Sequence, residues 1–197
     1  MINLDLYNKI VKDSSGLSQN LPEWKMYLNI CHTYLEEHNI KRPIVVELGA
    51  LFNKQERFYK ELLGAEHISI DITDQRCVPD IQGRTEDDET LDALKDRLAG
   101  KPINILFIDA SHRYKSVKRD FERYHPLCSD IVVFHDIETK RESPTTRMEV
   151  WRFWDELKEL SFDVNTIYKN YLFMSIRQCR FRRHRSPRMG IGLMIKK

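Results

Sequence analysis

The sequence predicts an α/β fold, a doubly wound, mainly parallel sheet with helices on both faces. Short runs rich in β-branched residues alternate five times with segments of helical periodicity, and two further strands close the chain. The first, second, fourth and fifth runs end in an acid or a histidine. The 197 residues suffice for one such domain with a full core and are too few for two.

Leu4, Leu6, Tyr7, Ile10 and Val11 form a short amphipathic pattern that breaks at Asp13-Ser14-Ser15-Gly16. A firmer helix starts after Asn20, which suits an N-cap. Pro22 falls in its first turn and Glu23 three residues after the cap. Trp24, Tyr27, Leu28, Cys31, Tyr34 and Leu35 recur along it at helical spacing. Ile44 to Gly49 reads as a buried parallel strand. The helix carrying Phe58, Tyr59, Leu62 and Leu63 stops at Gly64, and the strand His67 to Asp71 follows. A shorter strand precedes Gly83, and a helix around Leu91, Leu94 and Leu98 stops at Gly100. Ile103 to Asp109 is the strongest strand pattern. Its helix carries Tyr114, Val117, Phe121 and Tyr124 and ends before Pro126. Ile131 to Phe134 is a fifth strand, closing on His135-Asp136. Val150, Trp151, Phe153, Trp154, Leu157 and Leu160 mark a last helix. Two strands, over 164–176 and 190–196, are expected at the end, joined by an arginine-rich hairpin. Residues 1–40 read as N-terminal helices of the same domain as 41–197.

Glu47, Asp71, Asp109, His135 and Asp136 all fall at strand ends. In open parallel sheets, ligands bind outside the carboxyl ends of the strands. Polar groups gathered on that rim are hard to explain by packing. An acid ending the second strand suits ribose hydroxyls, and a glycine ending the first admits a close backbone approach. From Glu47-Leu48-Gly49 and Asp71 alone, a ribose site and a turn glycine with two solvated carboxylates are equally open.

Val46-Glu47-Leu48-Gly49, Ile68-Ser69-Ile70-Asp71, Phe107 to Tyr114 (Phe-Ile-Asp-Ala-Ser-His-Arg-Tyr) and Phe134-His135-Asp136 resemble successive motifs of class I S-adenosylmethionine-dependent methyltransferases. Within that class they are similar to the cephalosporin hydroxylase-like branch, which includes sugar and macrolide O-methyltransferases. The similarity runs from about Gln19 to the C-terminus. It implies a Rossmann-like sheet of seven strands with the last antiparallel. It also implies S-adenosylmethionine held by Glu47, Gly49, Asn53, Asp71, Gln82, Gly83 and Asp109, with Ile81, Gln82 and Gly83 near the adenine. Three positions depart from the family pattern. Asn53 and Lys54 stand where a second glycine is usual, and Arg84 stands where an acid commonly follows Gly83. Asn tolerates a left-handed backbone, so Asn53 can substitute.

Methyl transfer from a sulfonium is an in-line displacement that needs positioning, and a base when the acceptor is a hydroxyl. On the residues alone, a capping or solvated His112 and a hydrogen-bonded turn at His135-Asp136 are the simpler readings. The resemblance instead implies His112 as general base, with Asp109 beside it, and a divalent cation, Mg or Mn, held by Asp109, His135 and Asp136. Oxygen ligands suit Mg²⁺, whereas His135 suits Mn²⁺ or a transition metal better. No iron facial triad is evident.

Composition narrows the rest. With 41% apolar and 31% charged residues the chain is globular, and no apolar run approaches the roughly 18 residues of a membrane span. The N-terminus lacks a basic-then-apolar leader pattern, so a cytoplasmic location is expected. The net charge of +2 hides an asymmetry. Residues 177–197 hold eight basic residues and no acid, which leaves 24 basic against 30 acidic residues elsewhere, a net of −6. That disfavours a nucleic-acid-coating surface. The four cysteines are dispersed and read as buried or half-buried thiols. The polar stretch 138–147 sits where a lid selecting the acceptor would sit.

The expected function is therefore O-methylation of a small-molecule or sugar acceptor, with no membrane partner. Two rivals stand beside it: an inactive cofactor-binding protein, suggested by Asn53, Lys54 and Arg84, and a nucleic-acid methyltransferase docking through the hairpin Arg177 to Arg188. The sequence is silent on oligomeric state.

Overall fold

The computed structural model describes residues 1–14, 17, 19–73, 77–139, 141–142, 147–163, 166–177 and 189–197. Helices α1 (Leu4–Asp13) and α2 (Leu21–Glu37) precede strand β1 (Ile44–Leu48). Then follow α3 (Glu56–Leu63), β2 (Glu66–Asp71), β3 (Ile81–Gln82), α4 (Asp88–Leu98), β4 (Ile103–Ile108), α5 (Tyr114–Tyr124) and β5 (Cys128–His135). A small hairpin, β6 (Arg141–Glu142) and β7 (Arg147–Met148), leads into α6 (Val150–Leu160). Strands β8 (Tyr171–Ile176) and β9 (Ile191–Lys196) end the chain.

The main sheet has seven strands in the order β3-β2-β1-β4-β5-β9-β8. The first five are parallel, and β9 runs antiparallel between β5 and β8. This is the Rossmann-like topology that the resemblance implied. Reversal of strand order on either side of β1 and β4 opens a crevice at their carboxyl ends, where a doubly wound sheet binds ligands.

Alternation along each strand divides the core in two. Val45, Phe107, Ile131 and Val133 face α1, α2 and α3, against Trp24, Tyr27, Phe58 and Tyr59. Val46, Leu48, Leu106, Ile108, Val132 and Phe134 face α4, α5 and α6, against Leu94, Phe121, Tyr124 and Trp154. Of the three aromatics of α6, Phe153 and Trp154 are buried in the core and Trp151 is half-buried.

Local signals place most boundaries. The Asn20 side chain accepts the Glu23 N–H at 3.2 Å. Gly64 closes α3 in the left-handed conformation. One expectation fails: the strand over 164–176 is only Tyr171–Ile176, because Ile167–Asn170 forms a 3₁₀ turn whose aromatic ring packs towards α5. Much of the arginine-rich hairpin, residues 178–188 with Cys179 among them, lies outside the described residues, as do 140 and 143–146 of the expected lid. Among the described residues, no helix is long and apolar enough to cross a membrane.

Candidate active site

Strand β4 ends at Ile108 and delivers Asp109 to the carboxyl rim. Strand β5 delivers His135 and Asp136 beside it. The loop into α5 carries His112, whose carbonyl accepts the Glu149 N–H from the start of α6 at 2.7 Å. Four side chains from three segments thereby converge. His135 Nδ1 lies 3.1 Å from Asp109 Oδ1 and 3.7 Å from Asp136 Oδ2. His112 Nε2 lies 3.0 Å from Asp136 Oδ2 and 3.4 Å from Asp109 Oδ1. One ligand atom of each residue falls within 4.8 Å of the others.

These separations suit a divalent cation. Bonds of about 2.1 Å put neighbouring ligands about 3.0 Å apart and opposite ones about 4.2 Å apart. The other ring nitrogen of His135, Nε2, is buried and has no hydrogen-bond partner. An imidazole, that of His135, beside the two carboxylates favours Mn²⁺ or a later transition metal over Mg²⁺.

The electrostatics are those of a tight ionic cluster. Burial pushes the Asp109 carboxyl up, but the His135 charge and the hydrogen bonds from His112 and His135 outweigh it and bring it down to about 2. Burial would lower His112; hydrogen bonds to Asp109 and Asp136 overcome it and raise the imidazole to about 10. Asp136 adopts φ +61°, a left-handed backbone that Asp tolerates, and its Oδ1 accepts the Thr139 hydroxyl at 2.9 Å. Gln19, before α2, donates from Nε2 to Asp109 Oδ2 at 3.5 Å. Nothing in the spacing of Gln19 signalled that contact, which crosses 90 residues.

Two cavities meet at this rim. The larger, of about 600 Å³, is lined by Gly49, Gln55, Asp71, Asp109, His112, His135 and Asp136. The smaller, of about 210 Å³, is lined by Gly83, Thr85, Glu86, Ser111, Ser116 and Arg119. Gly49, Asp71, Ile72 and Ala110 border both, so the two form one elongated crevice.

The loop after β1 is shaped by its backbone. Gly49 has φ +89°, and a Cβ there would sit 2.5 Å from both Ala110 Cα and Asp109 O. Its lack of a side chain lets the ends of β1 and β4 close on each other. Leu51 and Asn53 take left-handed conformations at φ +52° and +50°. Asp71 anchors this loop: Oδ2 accepts the Leu51 N–H at 2.9 Å and Oδ1 the Thr73 N–H at 3.1 Å.

Not every expected site residue reaches the crevice. Gly49, Asp71, Gly83, Asp109, His112, His135 and Asp136 line it. Glu47, Asn53 and Gln82 are not part of its walls. Glu47 sits in phase with Val45, so its side chain turns toward α2 and α3, where it is fully buried against His67. Asn53 substitutes for glycine in conformation, as expected, and its Nδ2 donates to Glu56 at 3.2 Å. Gln82 is exposed on β3. Gly83 lines the crevice, but a Cβ there would meet the Thr90 hydroxyl at 2.2 Å, so packing against α4 also requires a glycine. Lys54 lies over the Phe52 ring, 5.3 Å from its centroid, away from the crevice walls. Tyr114 directs its hydroxyl to Glu156 on α6 at 2.5 Å and braces α5.

Comparisons with known proteins bear on the fold that carries this site. Residues 54–137 match a family described as a methyltransferase domain. An uncharacterized protein, y4gI, of Sinorhizobium fredii is 33% identical over 88 residues, which is 44% of this chain and 9% of that protein. The MycE methyltransferase of the mycinamycin biosynthetic pathway, solved with Mg and S-adenosylhomocysteine, superposes with a TM-score of 0.62 at 16% identity, over 97% of this chain and 54% of its own. An O-methyltransferase from Bacillus cereus, solved with S-adenosylhomocysteine, gives 0.59 at 11% identity, over 98% and 92%. TomG, an O-methyltransferase from Streptomyces achromogenes solved with S-adenosylmethionine, gives 0.53 at 14% identity, over 98% and 90%. The matched parts thus span about half the length of MycE and under a tenth of the Sinorhizobium protein. The fold is the one these methyltransferases share, and the family match falls on the segment that carries the strand-end motifs from Asp71 to Asp136.

Proposed function

We propose that this chain transfers a methyl group from S-adenosylmethionine to a hydroxyl of a small molecule or sugar, assisted by a divalent cation, with His112 as the base. The observation that carries the reading is the meeting of Asp109, His112, His135 and Asp136 in the wall of the same crevice as Gly49 and Asp71. An inert binding protein has no need of that cluster. The relatives favour the same class: MycE was also solved with Mg, S-adenosylhomocysteine and mycinamycin VI. The nucleic-acid reading rests on the hairpin Arg177 to Arg188; residues 178–188 lie outside the described part, Arg177 pairs with Glu138, and no described feature favours the reading.

Bound S-adenosylmethionine supplies an electrophilic methyl group on a sulfonium. Gly49, Asp71 and Ala110 would hold it across the crevice, with Asp71 toward the ribose. A cation on Asp109, His135 and Asp136 would lower the pKa of an acceptor hydroxyl. His112 takes the hydroxyl proton at Nε2. Removal of that proton by His112 would leave the acceptor oxygen a nucleophile for the methyl group that S-adenosylmethionine supplies.

The ionic cluster explains why base and cation belong together. Without a cation the two carboxylates keep His112 protonated, with a pKa of about 10. Positive charge on those carboxylates removes that pull and frees the imidazole to accept a proton.

Isothermal titration of S-adenosylhomocysteine and Mn²⁺, beside single-turnover assays on a panel of hydroxylated acceptors, tests the reading. His112→Ala should keep both binding events and lose turnover. Unchanged turnover in that variant would remove the base. No binding of S-adenosylhomocysteine by the parent chain would remove the function.

A further inference from the structure

We propose that Gln19 and Thr139 set the cation preference of the site, by leaving Asp109 and Asp136 one free oxygen each. The proposal rests on the cation-assisted reading above and adds two positioning residues to it.

The two carboxylates are divided in the same way. Asp109 turns Oδ1 into the cluster, 3.1 Å from His135 Nδ1 and 3.4 Å from His112 Nε2. Its Oδ2 accepts the Gln19 amide N–H at 3.5 Å. Asp136 turns Oδ2 into the cluster, 3.0 Å from His112 Nε2 and 3.7 Å from His135 Nδ1. Its Oδ1 accepts the Thr139 hydroxyl at 2.9 Å. Each acid thus keeps one oxygen among the histidines and the other against a neutral donor. The donors come from unrelated places. Gln19 precedes α2, 90 residues from Asp109. Thr139 closes the turn after β5, its N–H donating to the Asp136 carbonyl at 3.2 Å.

Both donors are buried, each with 7% of its surface exposed. Burying an amide or a hydroxyl is unfavourable unless it is hydrogen-bonded. Gln19 Oε1 is buried with no partner, so the bond to Asp109 is the one described hydrogen bond of that amide. An ionised carboxylate only accepts, which fixes the amide with its N–H toward Asp109. The Thr139 hydroxyl likewise has to donate to Asp136.

Carboxylates offered by one oxygen suit one kind of ion. Ca²⁺ takes about six to eight oxygens and accepts both from a single carboxylate. Asp109 Oδ1, Asp136 Oδ2 and His135 Nδ1 offer it few ligands, one of them a nitrogen. Mn²⁺ tolerates the imidazole and needs no second oxygen from either acid. Loss of the Gln19 or Thr139 donor frees an outer oxygen to turn inward. That adds a ligand for Ca²⁺ and loosens the arrangement that Mn²⁺ uses. Neutral donors achieve the orientation without a positive charge that would compete with the cation.

Calorimetry with Mn²⁺ and with Ca²⁺ on chelator-treated protein tests the proposal. The parent chain should bind Mn²⁺ the more tightly. Gln19→Leu and Thr139→Val keep most of the side-chain volume and remove the donor. Each should lower the ratio of Mn²⁺ to Ca²⁺ affinity by about tenfold or more, the scale of an outer partner of a metal ligand. Thr139→Ser keeps the hydroxyl and should hold the parent ratio to within about twofold. If the two residues only pack, both ions weaken alike and the ratio stays, which would overturn the proposal. A parent chain that binds Ca²⁺ as tightly as Mn²⁺ would overturn it as well. Should Gln19→Leu not fold, Thr139→Val against Thr139→Ser decides by the same ratio. A parent chain that binds S-adenosylhomocysteine but neither ion would instead remove the cation from the proposed function, and this inference with it.

Discussion

The Glu47 carboxylate and the His67 imidazole meet at 2.9 Å with both side chains fully buried. They come from neighbouring parallel strands, and Tyr59 stacks on the imidazole with ring centroids 5.2 Å apart. Burial raises the Glu47 carboxyl, and hydrogen bonding to His67 opposes the rise. Such a pair is costly to break from one side and cheap to replace as a whole. His67→Ala should therefore destabilise the protein by about 3–5 kcal/mol. The double change Glu47→Leu with His67→Phe should restore most of that. Urea denaturation of the two variants checks it. Equal loss in both would show that packing, rather than the stranded charge, sets the cost.

The cation site makes a second prediction. Asp136→Asn keeps a residue that tolerates the left-handed backbone but removes one anionic ligand. It should weaken Mn²⁺ binding by at least about tenfold, since even outer partners of metal ligands are worth that much. The parent chain should prefer Mn²⁺ to Mg²⁺, because imidazole ligands favour it. Competition calorimetry reads both effects, and tighter Mg²⁺ binding would argue for oxygen ligands alone.

Protonation of the cluster gives a third. In chelator-treated protein, the His112 pKa is raised to about 10 from an unfolded value near 6.5. The stability it contributes is complete below about pH 6.5 and is lost as pH rises through 10. The Asp109 pKa is lowered to about 2, so its contribution is complete above about pH 4 and is lost as pH falls toward 2. Stability from the cluster should be greatest between about pH 4 and 6.5. His112→Ala should flatten the alkaline limb of a denaturation series across pH, and an unchanged limb would refute the assignment.

Gly49 supplies a fourth. A methyl group there would strike the backbone of Asp109 and Ala110 at 2.5 Å, on a residue with φ +89°. Gly49→Ala should cost more than about 2 kcal/mol, combining a forbidden conformation with overpacking. A melting temperature within a degree of the parent would show that the β1–β4 junction yields easily.

Asp71 gives a fifth. Asp71→Ala strands the Leu51 and Thr73 N–H groups and removes the acceptor at the ribose end. S-adenosylhomocysteine affinity should fall by about tenfold or more. The effect on Mn²⁺ should be small, because Asp71 is not one of the clustered ligands.

What the sequence by itself determined is the alternation of elements, their caps and the rim of strand-end acids and histidines. Those signals are local. Asn20 reaches only three residues ahead, Gly64 ends its own helix, and strand runs show their burial in their own side chains. That locality is why Asp71, Asp109, His112, His135 and Asp136 were legible before their contacts were. Tertiary structure decided the rest. Glu47 reads as a cofactor residue by its position, yet the phase of β1 turns it to the helix-packed face and toward His67. Gln19 meets Asp109 only because α2 lies on the sheet beside β4. Sheet order and strand phase set which distant residues meet, and neither is written in a window of a few residues.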